Sequence, residues 1–293
     1  MSFTSDTRHV DRRVMLVGRD RVFYFGLLGC PGIRNFGSAT LYVSAHAPLQ
    51  VSFGGQWHQR RLVWVPAYTP HRIRALERQI GVVMVEPEST DMVAVDRCIR
   101  HSLDAGHEPA LLERVFQGFT RLQQADSESD LSTENFDDLF LGESLPARGL
   151  DPRIRRVLDR VCDDSAEAGS AVDLARAEGL SFSRFLHLFK AETGVPLRKY
   201  RAWRRARNLL YHVRSDVSLT DIALQTGYPD STHFSHSIRK IYGLPPREIV
   251  AGSRRLRIRV QPPWMSGHPS PGPAPGLVAA NSHKPAVTAA AIV

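Results

Sequence analysis

The chain has 293 residues, 38 Lys+Arg against 30 Asp+Glu for a net charge of +8, and 42% hydrophobic residues. That length holds about two domains, and that apolar content supports packed cores and excludes general disorder. No apolar run approaches the ~18 residues a membrane helix needs, and Met1–Val10 is polar, so the reading is a soluble, cytoplasmic protein without a membrane partner.

In chain order, Val22–Leu28, Thr40–Ser44, Leu49–Phe53, Leu62–Val65 and Gly81–Val85 read as short strands. Turn residues at Cys30-Pro31-Gly32, Ala47-Pro48, Gly54-Gly55 and Thr69-Pro70 break them, a spacing that predicts a sandwich or small barrel. Two helices follow over Asp91–Leu103 and Pro109–Gln123, with Leu112, Val115, Phe116 and Phe119 at helical spacing. Residues 124–149 are acidic and Ser-rich and read as a linker. Asp151-Pro152 then opens a helix with Ile154, Val157, Leu158 and Val161 at i, i+3, i+4, i+7. Residues 261–293 are rich in Pro, Ala and Gly and read as a disordered tail. Cys30, Cys98 and Cys162 are scattered, as expected of reduced, buried thiols rather than a disulfide framework or zinc site.

The charge is uneven. Residues 151–260 carry 21 Lys+Arg against 12 Asp+Glu, a net +9, while residues 1–150 carry 16 against 18. A basic segment joined to a near-neutral one is the footprint of a polyanion ligand.

Within the basic segment runs a repeat of about 48 residues. Leu174-Ala175 matches Ile222-Ala223 and Gly179 matches Gly227; one residue later in register, Phe185 matches Phe234, Phe189 matches Ile238, Gly194 matches Gly243 and Pro196 matches Pro245. Each copy reads as a short helix, a glycine turn, and a second helix stopped by Gly and then Pro. Ser181 caps the second helix of the first copy, and Asp230 or Ser231 that of the second. Phe185, Leu188 and Phe189 face inward in one copy; Phe234, Ile238, Ile241 and Tyr242 do so in the other. The remaining faces, made of hydroxyls, His, Arg and Lys, suit the major groove. Between the copies, Leu197–Val213 is an amphipathic helix charged by Arg198, Lys199, Arg201, Arg204, Arg205 and Arg207.

The stretches DLARAEGLSFSRFLHLFKAETGVPLRKY and SLTDIALQTGYPDSTHFSHSIRKIYGLPPREI resemble the tandem helix-turn-helix domain of the AraC/XylS transcription regulators. The resemblance covers about a third of the chain; Pro229 and Ser237-Ile238 depart from the usual pattern. It implies an α+β two-domain chain: a cupin-like β-barrel with flanking helices over 1–123, the linker 124–149, an all-α tandem helix-turn-helix domain over 150–260, and the tail 261–293. It also implies a bacterial, sequence-specific DNA-binding regulator rather than an enzyme, an activator responsive to a small-molecule effector. Its partners would be double-stranded promoter DNA, RNA polymerase and a second copy in a homodimer.

By position, the family's base-contacting sites fall on Ser183, Leu186 and His187, and on Thr232, His233, Ser235 and His236. Arg184, Lys190, Arg239 and Lys240 are assigned to phosphates.

In the N-terminal half, LVWVPAYTPHRI resembles strand-turn-strand of the cupin-like barrel. His46, His58 and His71 lack the His-x-His spacing and intervening acid of a cupin metal site, so neither metal nor cofactor is expected. Tyr42, Trp57, Trp64 and Tyr68 read equally as effector-pocket lining or as barrel core, and the helix near Leu111–Leu122 as a dimer contact or as packing. The chain holds no G-x-S-x-G, phosphate-loop or H-E-x-x-H motif. Two rival readings remain: a cupin-type enzyme whose basic half localises it to nucleic acid, and a constitutive DNA-binding dimer without an effector.

Overall fold

The computed structural model describes residues 13–77, 79–104, 106–125, 131, 134–163, 168–213, 217–253 and 256–260. The tail 261–293 and part of the expected linker lie outside the described residues.

Eight strands come first: β1 (Val14–Val17), β2 (Arg21–Leu27), β3 (Ala39–Val43), β4 (Leu49–Phe53), β5 (Gln56–Arg60), β6 (Leu62–Val65), β7 (Arg72–Ala75) and β8 (Gln79–Val85). Helices α1 (Met92–Asp104), α2 (Glu108–Gln124) and α3 (Phe136–Leu141) follow. The basic segment contains α4 (Pro152–Asp163), α5 (Ala171–Ala177), α6 (Phe182–Thr193), α7 (Leu197–His212), α8 (Leu219–Gln225), α9 (Ser231–Tyr242) and α10 (Pro246–Ser253), then a ninth strand, β9 (Arg257–Val260). No helix among the described residues is long and apolar enough to cross a membrane.

The strands form two sheets, one in the order β6-β3-β8-β2-β1-β9 and one in the order β5-β4-β7. The expected sheet-rich N-terminal part with flanking helices is present, but its strands do not close into a single barrel. β9 pairs in parallel with β1, with Val14 opposite Arg257 and Val17 opposite Val260, and so occupies an edge that would otherwise expose unpaired backbone groups. The last strand of the basic, otherwise helical segment thus belongs to the N-terminal sheet.

Three apolar cores follow. One face of the larger sheet packs on α1, α2 and α3 through Phe23, Val83, Val95, Phe119 and Phe140. Phe23 and Phe140 stack at 4.3 Å. The apolar face of α2 is therefore filled from within the chain, which answers the choice between packing and dimer contact in favour of packing. Part of the segment expected as a linker is likewise built in: Phe136, Phe140 and Leu141 of α3 are buried, and Asp137 takes the Arg21 guanidinium at 2.8 and 2.9 Å. The acidic composition concealed that face.

The second core contains Ile154, Val157, Leu174, Phe185 and Phe189, with Leu197 and Tyr200 at the start of α7. The third joins both sheets (Tyr24, Tyr42, Val51, Ile73) to the rest of α7 and to α8–α10 (Trp203, Leu210, Ile222, Phe234, Tyr242, Ile249). The first helix pair thus has its own core; the second shares one with the N-terminal sheets.

Polar bonds fix that shared interface. Glu86, 1% exposed just after β8, accepts from Trp203 Nε1 at 2.8 Å and Arg207 Nε at 3.2 Å. Arg207 Nη2 also donates to the Gly18 carbonyl at 2.6 Å and the Arg21 carbonyl at 3.2 Å, and Tyr211 Oη to Gly18 at 2.9 Å. Trp203 lies so close to Gly37 that a Cβ there would stand 2.2 Å from the indole Cγ.

Glu88 lies beside this group, with Arg204 Nη1 at 3.9 Å from its Oε1. Burial first, then the Glu86 charge, pushes its carboxyl up to about 7 against the opposing pull of Arg204. A carboxyl raised in the folded state contributes stability that is fully present below its unfolded value and is lost as pH rises through the folded one. The stability of the protein relative to Glu88→Gln should therefore fall between about pH 4.5 and 7, by on the order of 1–3 kcal/mol. Urea titrations of both proteins across that range check this; a difference independent of pH would contradict it.

Candidate nucleic-acid interface

The two helix pairs are built by the same local chemistry. Ser170 caps α5 by accepting from the Asp173 backbone N–H, and the Asp173 carboxylate answers to the Ser170 N–H. Ser218 and Asp221, 48 residues on, repeat the hydroxyl-to-N–H cap at α8. Sequence reasoning missed this part of the repeat, although the Ser-x-x-Asp spacing signals it. As expected, Ser181 caps α6 and Asp230 caps α9, while Gly194 and Gly243 end the two helices in left-handed conformation. Gly243 also meets Gly32, where any Cβ would stand 3.0 Å from backbone, so a side chain is unwelcome there on two counts.

These caps set what each second helix presents. On α6, Ser183, Arg184, His187 and Lys190 are exposed, while Leu186 is half-buried against the core of the first pair. On α9, Thr232, His233, His236, Arg239 and Lys240 are exposed, and Ser235 is half-buried. All the expected contact positions thus lie on two helices, with Leu186 and Ser235 the least accessible.

His233 has a second task. Asp230 Oδ1 accepts from the backbone N–H groups of Thr232 and His233, both at 2.8 Å, and Asp230 Oδ2 pairs with His233 Nδ1 at 2.7 Å. The His233 backbone bond, followed by its ring, holds the Asp230 carboxyl below its ordinary value. With Nδ1 donating to Asp230, Nε2 is the ring nitrogen that remains to meet a base edge.

Sequence reasoning passed over Phe182, an aromatic 48% exposed in the first turn of α6 beside Ser183. Its phase, three residues ahead of buried Phe185, should have placed it inside. An exposed ring there suits the methyl group of a thymine.

The Arg-rich helix α7 departs from expectation. Arg198 and Lys199 are exposed, but Arg204 and Arg207 are buried and engaged with Glu86 and the β1–β2 turn. Arg205 donates to the Gly227 carbonyl at 3.1 Å and stacks over Tyr228, and Arg201 donates to the Gly169 carbonyl. Most of the helix's charge is structural, because α7 is enclosed by both helix pairs and the sheet. Arg184, Lys190, Arg239 and Lys240 retain exposed side chains.

The other expectations fall as follows. His46 and His58 are exposed, and His71 is buried against Tyr42 and Thr69; no three His, Cys, Asp or Glu among the described residues are grouped as metal ligands. Tyr42 and Tyr68 belong to the core between the sheets, Trp64 packs on the helical face, and Trp57 is exposed beneath Arg74. Cys30, expected inside, is exposed.

Two capped helix-turn-helix units in tandem define a DNA-binding class of domain. Residues 174–251 match the family model described as a helix-turn-helix domain. The HTH-type transcriptional activator RhaS of Escherichia fergusonii is 34% identical over 167 residues, covering 50% of this chain and 59% of that protein. The chain thus spans little more than half the length of the curated relative it matches. Among solved structures, ToxT from Vibrio cholerae O395 covers 78% of this chain and 96% of its own at 12% identity and a TM-score of 0.48. The DNA-binding domain of AdpA, in complex with a target DNA, covers 36% of this chain and 95% of its own at 18% identity and a TM-score of 0.34. Residues 174–251 thus carry a helix-turn-helix domain similar to those of DNA-binding transcription regulators.

Replacing Asp230 by Ala removes the acceptor of two backbone N–H groups and the anchor of His233. Amide exchange at Thr232 and His233 should speed up about two- to thirtyfold, with Asp230→Asn near wild type. Unchanged exchange in Asp230→Ala would show that the carboxylate does not hold the first turn of α9.

Proposed function

We propose that the protein is a sequence-specific transcription regulator, an activator that binds double-stranded promoter DNA through α6 and α9. The observation that carries this reading is the pair of capped, solvent-facing second helices within a segment matching a helix-turn-helix family. Ser183, Leu186, His187, Thr232, His233, Ser235 and His236 are assigned to base edges, with Leu186 and Ser235 needing small side-chain movements. Arg184, Lys190, Arg239 and Lys240 are assigned to phosphates, which position the domain without reading sequence.

In this reading residues 1–123 sense a small molecule or mediate dimerisation, residues 150–260 bind DNA, RNA polymerase is the downstream partner, and the protein acts in the cytoplasm without catalysis. The relative named a transcriptional activator supports activation as the output. An effector would act by favouring one arrangement of the sheets against α7 and α9.

The test uses the full chain, DNA selected from a random library, and an unrelated duplex at several salt concentrations. Affinity should fall with salt on both, and the selected DNA should bind at least about a hundredfold more tightly. His236→Ala should cost on the order of tenfold on selected DNA while leaving the unrelated duplex nearly unaffected. Equal losses on both would remove His236 from the base contacts, and failure to bind any duplex at moderate salt would overturn the reading.

A further inference from the structure

The two helix pairs differ in how the second helix is seated on its turn. Leu180 and Tyr228 hold the same place in the repeat. Each follows the turn glycine, and each donates its backbone N–H at 2.9 Å to the alanine five residues earlier, Ala175 and Ala223. Leu188 and Ser237 correspond as well, three residues after Phe185 and Phe234. In the first pair both positions are leucines packed on its own apolar core. In the second both carry hydroxyls, and Tyr228 Oη lies 3.0 Å from Ser237 Oγ. Ser237 is one of the residues that depart from the usual pattern of the repeat.

The phenol is held from two sides. Tyr228 is buried and meets the Phe234 ring edge-on at 5.3 Å. Arg205 Cζ stands 5.3 Å from the Tyr228 centroid, and Arg205 Nη1 donates to the Gly227 carbonyl at 3.1 Å, so α7 fixes both the ring and the peptide before it. Burial pushes the Tyr228 phenol above its ordinary value, against the Ser237 bond and the Arg205 charge, so it keeps a proton to donate at neutral pH.

Ser237 stands on the flank of α9. Phe234 and Ile238 are buried, His233 and His236 are exposed, and Ser237 is half-buried between these two faces. Apolar packing is non-directional, whereas a hydrogen bond at the flank resists rotation of the helix about its axis. Side-chain tips lie roughly 5–6 Å from a helix axis, so a rotation of about 10° moves them by about 1 Å. That is enough to spoil a hydrogen bond to a base edge.

We propose that Tyr228 and Ser237 are positioning residues that set the rotation of α9, so that His233 and His236 meet base edges in one register. The first helix pair has leucines in their place and seats α6 without such a pin. This inference goes beyond the DNA-binding reading above and rests on it.

The test uses the full chain, its selected duplex, single base-pair variants of that duplex, and an unrelated duplex. The half-site read by α9 is the one whose discrimination falls in His233→Ala or His236→Ala. Tyr228→Phe keeps the ring and removes only the hydroxyl. It should lose about three- to tenfold in discrimination at that half-site, and stay within about twofold of wild type at the other half-site and on unrelated DNA. Ser237→Ala should do the same, the double variant should lose no more than either single one, and Ser237→Thr, which keeps a hydroxyl, should match wild type. Should Ser237→Ala fail to fold because it leaves the buried phenol unpaired, Tyr228→Phe and Ser237→Thr carry the test. Equal losses at both half-sites, or on unrelated DNA, overturn the proposal, and so does a half-site that neither histidine variant affects. A wild type that prefers no duplex overturns the regulator reading and this proposal together, whereas a discriminating wild type matched by Tyr228→Phe overturns this proposal alone.

Discussion

The arrangement of the whole chain depends on one buried carboxylate. Glu86 sits where β8 ends and receives the indole N–H of Trp203 and the guanidinium of Arg207, four residues apart on one face of α7. A buried carboxyl group in such a place is tolerable only while its donors are present, and removing one partner of a buried pair typically costs about 3–5 kcal/mol. That cost fixes the rotation of α7 against the sheet. Because α7 carries a helix pair at each end, it also orients both candidate reading helices. Gly37 completes the contact by leaving room for the Trp203 ring.

The two helix pairs are alike in sequence and unlike in surroundings. Phe185 and Phe189 pack with α4 and the start of α7, a core made within the helical segment. Phe234, Ile238 and Tyr242 pack in the same core as Tyr24, Tyr42 and Ile73 of the sheets. A change between the sheets is thus felt directly by α9, and reaches α6 through α7 and through Arg148, which donates to the carbonyls of Pro87 and Glu192. β9 adds a second tie, since the chain leaves the helices and returns to pair with β1. The apolar contacts between the N-terminal half and the two helix pairs are thus concentrated on the second pair.

How much was legible follows the physics of each element. β2, β3, β4, β6 and β8 are apolar runs, and all five were readable within a residue or two. β5 is exposed at every position and polar in composition, so no burial pattern marks it; it exists because the Gly54-Gly55 turn folds it back onto β4. β9 reads as alternating Arg, and its strand state comes from pairing with a segment more than two hundred residues earlier. α3 was hidden by acidic neighbours, although Phe136 and Phe140 carry the helical spacing.

By itself the sequence determined the tandem repeat, the caps and glycine stops of α6 and α9, and, Phe182 and Ser235 apart, which residues of those two helices turn outward. These are short-range matters, settled by helical period and by side chains within three or four positions of the backbone groups they satisfy. Only the tertiary structure decided what the arginines do. Arg198 is exposed, Arg207 is buried against a carboxylate 121 residues away, and Arg34 is buried beside the Phe36 ring with no ion pair among the described residues. One residue type in similar local patterns meets three fates, because the free energy of a charge is set by burial and by its partner. Both are products of long-range packing, which no local periodicity encodes.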